Sequence, residues 1–132
     1  MGFICIEFLL SFNLSLSLLD CEGLFTFYHR EDHSHAYADR MVHRIYVNQY
    51  YWDQVDWVER REIGFHELGH LLLGLDHCLT EYGWQEPRIM RPRFTSSRYV
   101  SWDKLVEGMR REYDRGTCGG RGYSHKPLVA PG

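Results

Sequence analysis

The stretch "HELGHLLLGLDH", residues 66–77, decides how this chain is read. On a helix, His66 and His70 lie one turn apart on the same face. Both imidazoles then reach one tetrahedral Zn²⁺, at Zn–N distances of about 2.0–2.1 Å. Glu67 is rotated by about 100° from His66, so it sits beside the metal without ligating it. From there it can take a proton from the attacking water and pass it to a leaving amine. A purely structural zinc site has no use for that carboxylate. Gly74 suits the helix end, because it takes positive φ without strain, and His77 follows three residues later.

The flanking residues extend this core into a fold. Asp53 or Asp56 can cap the helix, and Glu59 follows Asp56 as in a capping box. Val58, Ile63, Leu68, Leu71 and Leu72 recur at roughly helical spacing. Upstream, "LFTFYH" (24–29), "HAYAD" (35–39) and "HRIYVNQYY" (43–51) read as strands, the last with Ile45 and Val47 on one face. Residues 3–12 and 101–113 read as helices, the second with Trp102, Leu105, Val106 and Met109 inward. The expected class is α+β: a small sheet packed on a long helix, then a methionine-containing loop and a closing helix. One domain is expected over 1–114, with a flexible Gly-rich tail over 115–132.

"HELGH", "GLDH" and "RIMRP" (88–92) resemble the metzincin clan of zinc peptidases. That clan reads HExxHxxGxxH and then a methionine turn beneath the metal. A better likeness is to a group of bacterial and phage metalloproteases reading roughly HELGHxxLxxxH and then SIM. "RIYVNQYYW", Trp57 and "SSRYVSWDKL" also look similar to that group, so the likeness covers most of the chain. It implies a minimal metzincin-like peptidase with His66, His70 and His77 as ligands, and Met90 as an apolar floor. The chain departs in two ways: the helix is one residue longer than the common pattern, and Arg88 stands where the group often has Ser. The added residue turns the helix exit by about 100°, to be absorbed at Leu73–Gly74 by the glycine hinge or by a π-bulge. It also puts Asp76 at the register of the ordinary third ligand. Asp76 is therefore the rival to His77, with Glu81 and Glu86 as more distant choices.

Other features are weighed against this reading. His29, His33, His35 and His43, with Asp32, invite a second zinc, but their spacing fits a solvated polar loop better. Tyr82 and Tyr99 are candidates for oxyanion contacts, with packing the plainer role. Cys78 reads as a small apolar residue. The four cysteines form no CxxC pair; they allow two disulfides or four thiols, so the compartment stays open. The apolar N-terminus lacks a basic start and contains Glu7, so it reads as part of the fold. No run is long enough to span a membrane.

Net charge is −3, with 14 acids and five Lys/Arg in residues 1–87 against four acids and ten Lys/Arg in 88–132. That split reads as a solvated face and not as a nucleic-acid surface. The expectation is thus a monomeric zinc endopeptidase with one catalytic ion, Glu67 as general base and a peptide or protein substrate. An extended substrate would add to a sheet edge near 34–39. The competing class is a silent peptide-binding module of the same fold, stapled by its metal.

Overall fold

In the computed structural model, residues 1–78, 88–91, 100–115, 117–118, 121–122 and 129–130 are described. The helix carrying the motif is α4, Trp57–Leu72. Asp56 caps it, accepting a hydrogen bond from the Glu59 amide at 3.0 Å. Before it come α1 (Gly2–Ser11), α2 (Leu18–Gly23), β1 (Phe25–Tyr28), β2 (Ala36–Asp39), β3 (Arg44–Asn48) and α3 (Gln49–Trp52). After it come α5 (Trp102–Arg115) and, within the segment read as a tail, three two-residue strands: β4 (Thr117–Cys118), β5 (Arg121–Gly122) and β6 (Val129–Ala130).

The architecture is α+β. The main sheet runs β1-β3-β2-β6, with β1 parallel to β3 and β2 antiparallel to it. Alternation along β2 and β3 sends Ala36, Ala38, Ile45 and Val47 into the core, all fully buried. α4 packs on β2 and β3, and the two alanines on β2 let its backbone come close to the sheet. Tyr37 and Tyr46 stack at 5.0 Å as a cross-strand pair on the other face.

The opposite side of α4 is covered by α1 and α5. Gly64 is required there, because any Cβ would strike the Ile4 side chain. Phe65 packs edge-on to Phe8 at 5.1 Å and to Trp102 at 4.7 Å. Glu7 is the polar hinge of this layer. It pairs with Arg61 at 3.4 Å and accepts from the Trp102 indole at 3.1 Å, while Arg61 lies over the Trp102 ring. A disulfide from Cys5 to Cys21 fastens α1 to α2; closing a loop of that separation contributes about 3 kcal/mol in the chain-entropy picture. Cys78 is also disulfide-bonded, not a plain apolar residue.

Two expectations need correction, and one helix adds to them. The strand expected over 43–51 stops at Asn48, whose side chain accepts from the Tyr50 amide and starts α3. α2 was not expected. The sheet edge near 34–39 is not open along its length, since β6 pairs with β2 at Ala38↔Ala130 and Asp39↔Val129. No described helix is long and apolar enough to cross a membrane.

Candidate metal centre

His66 and His70 project from one face of α4, and both are fully buried. Their Nε2 atoms lie 3.1 Å apart. His77, 8% exposed, brings its own Nε2 to 3.2 Å from that of His66. The three are the one cluster among the described residues with side chains placed to share a metal ion.

The other ring nitrogens explain the orientation. His66 Nδ1 lies 2.6 Å from the Ile89 carbonyl, and His70 Nδ1 lies 2.6 Å from the Leu75 carbonyl. A carbonyl only accepts, so each Nδ1 carries the proton and each Nε2 presents a lone pair inward. Converging lone pairs repel one another and suit a cation. Burial, followed by the neighbouring His66, pushes the pKa of His70 down to about 2, which keeps it a neutral donor.

The longer motif closes by an unusual end to α4. Gly74 adopts φ 67°, and the Leu75 amide donates back to the Gly69 carbonyl at 3.0 Å. A Schellman closure would return one residue nearer, to His70. The last turn is therefore widened by the extra residue, and the His70 carbonyl is left over. Arg40, just past β2, takes it: its Nε donates to His70 O at 2.9 Å. The same guanidinium donates to Leu75 O at 2.7 Å and pairs with Asp76 Oδ1 at 3.2 Å. Asp76 is thus engaged by Arg40, and it is His77 that joins the two helical histidines.

The 88–91 turn packs against α4 on the Gly69 side. Met90 is fully buried, and its sulfur lies under Gly69, where a Cβ would collide with it and with Met109. The Met90 carbonyl accepts from the Cys78 amide at 2.7 Å, tying the turn to the residue after His77. Glu67 is fully buried beside His66, and neither carboxylate oxygen has a hydrogen-bond partner among the described residues. Desolvation raises its pKa well above the usual carboxylate value. A buried carboxyl without hydrogen-bond partners costs stability.

Sequence reasoning missed Arg40, and it missed the Ile89 and Leu75 carbonyls. Glu81, Glu86, Tyr82 and Tyr99 lie outside the described residues. His29, His33 and His43 are exposed, and Asp32 pairs with Arg30 at 3.3 Å. Comparison with protein-family models, curated proteins and solved structures finds no match to this chain.

Proposed function

We propose that this chain is a zinc-dependent peptidase of metzincin-like type. His66, His70 and His77 hold the ion and Glu67 serves as general base. The observation that carries the reading is the meeting of three inward Nε2 donors, two of them on α4, with a buried carboxyl of α4 that has no hydrogen-bond partner among the described residues. The nitrogen separations of 3.1 and 3.2 Å suit zinc. Ligand atoms at the usual zinc distance stand about 3.3 Å apart along the edge of a tetrahedron. Three imidazoles and no thiolate also match catalytic zinc sites, which keep one coordination position for water or substrate.

When bound, zinc supplies Lewis acidity toward the scissile carbonyl and lowers the pKa of water. Beside a dication the carboxylate form of Glu67 is favoured. Glu67 then takes a proton from the attacking water as its oxygen bonds to the carbonyl carbon. It returns that proton to the amide nitrogen as the C–N bond breaks. An extended substrate pairs along the β2 edge, and at Ala38 and Asp39 it does so only in place of β6.

The burial of all three histidines favours one second reading, a metal-stapled binding module. Metal content and hydrolysis of an unstructured protein, before and after chelation, separate the two. Peptidase activity that needs zinc and disappears in Glu67→Ala supports the enzyme. A Glu67→Ala variant that holds zinc and still cleaves refutes the role of Glu67. Absence of activity together with unfolding on chelation supports the module.

A further inference from the structure

The 88–91 turn supplies the carbonyl that orients His66, yet it belongs to neither a helix nor a strand. Its first residue, Arg88, reaches into α5. There its Nη1 lies 3.6 Å from Glu112 Oε1, and the two side chains are only 11% and 4% exposed. The guanidinium crosses α5 against the backbone of Gly108, where an added Cβ would stand 2.8 Å from Nη1. Gly108 and Glu112 lie one turn apart, so one face of α5 supplies both the space and the countercharge for Arg88. Ile89 follows directly, 1% exposed, with its carbonyl 2.6 Å from His66 Nδ1.

We propose that Glu112, acting through Arg88, is a positioning residue for the metal centre. The ion pair holds the 88–91 turn against α5, and the turn then holds His66 in the tautomer that points Nε2 inward. This rests on the metal-centre reading above. Gly69 reinforces the arrangement from the α4 side, because Met90 of the same turn occupies the space of its missing side chain.

The test is a double-mutant cycle on the full chain, with Arg88→Ala, Glu112→Ala and both together. Zn²⁺ affinity is read by competition with a chelator, and the His66 tautomer by imidazole ¹⁵N NMR of the metal-free chain. Each single variant is expected to lose Zn²⁺ affinity by ~10–100-fold, the size typical of groups that support metal ligands. The double variant should lose no more than either single one, since both break the same tether. Arg88→Lys should keep most of the affinity. The tautomer should change from Nδ1–H alone to a mixture in the alanine variants. Glu112→Gln keeps the side-chain shape if Glu112→Ala fails to fold, and should show the same changes more weakly. Ile4→Val, against the far side of α4, controls for lost stability and should leave the tautomer unchanged. Affinity within twofold of the parent in folded variants overturns the proposal, as does lost affinity with an unchanged tautomer. If the parent chain takes up no Zn²⁺, the metal-centre reading has failed, and the tautomer result alone decides whether the tether exists.

Discussion

Residues 29–43 hold four histidines and residues 66–77 hold three, yet only the second set converges. The first set rides on the connection between β1 and β2 and on the turn before β3. There His29 and His35 pack against Tyr50 and Tyr51, and the others face solvent. In the second set, a helix fixes two rings on one face, carbonyls at Ile89 and Leu75 hold their Nδ1 protons, and burial keeps the His70 ring neutral. Donor count does not make a metal site. Lone pairs aimed at one point by fixed hydrogen-bond partners can.

The largest contrast lies in Glu67, since nothing comparable accompanies the outer histidines. Glu67→Gln should lower peptidase kcat by ~10²–10⁴-fold, the usual worth of a general base, with zinc content unchanged. The same substitution should raise the melting temperature of the metal-free chain at neutral pH. The sign follows from linkage. The folded pKa of Glu67 is raised, so its contribution is fully present below about pH 4.5 and is lost as pH rises toward the folded value. A variant that keeps its rate would remove the reason for calling the site catalytic.

His77 and Asp76 come next. His77→Ala should cost more than ~100-fold in Zn²⁺ affinity, and Asp76→Ala only ~10–100-fold or less, because Asp76 acts through Arg40. The reverse order in a chelator competition would make Asp76 the ligand. Arg40→Ala should destabilise the chain by about 1–3 kcal/mol in urea unfolding, since it strands the His70 carbonyl that the widened helix end leaves over.

The parts of the site legible in the sequence are those fixed by local geometry. The spacing of His66 and His70, the Asp56 cap and the Gly74 exit all follow from helix rules. The shared face of Ile45 and Val47, both buried, follows from alternation. Arg40 was not legible, because it reaches the helix end from thirty residues away in sequence and nothing local marks it. The Ile89 carbonyl is backbone and leaves no trace in residue type. α2 did leave one: Ser17 stands three residues before Asp20 and accepts from its amide, a capping pattern that the apolar flanks obscured. At Asn48 two readings compete, since Asn both ends a strand and caps a helix, and the tertiary contacts of its amide with Arg30 and Ser34 decide.

Acid offers a sharper test of what burial does to the inner set. Burial pushes the folded pKa of His70 down to about 2, from an ordinary value of 6.5. Above about pH 6.5 neither folded nor unfolded chain binds this proton. Below it the unfolded chain does and the folded chain does not. His70 therefore makes the metal-free chain lose stability as pH falls from about 6.5 toward 2, by at most ~1.4 kcal/mol per pH unit. His70→Gln should flatten that slope in denaturant titrations at a series of pH values. An unchanged slope would mean that water reaches the ring.

The smallest expected effect is also the one that tests the comparison as a whole. His29→Ala and His33→Ala, singly or together, should leave zinc stoichiometry at one ion per chain and the affinity within a factor of two. His29 and His33 are exposed, and neither belongs to the His66, His70 and His77 cluster. The stability cost should stay within ~0.5 kcal/mol, as for surface positions without special roles. Tyr28 loses its edge contact with His33, and Tyr50 its contact with His29, so a small change in tyrosine fluorescence is the expected trace of the substitutions. A second ion in the parent chain that vanishes in the double variant would break the comparison outright. It would mean that the outer loop can gather its histidines around a metal without a helix to aim them.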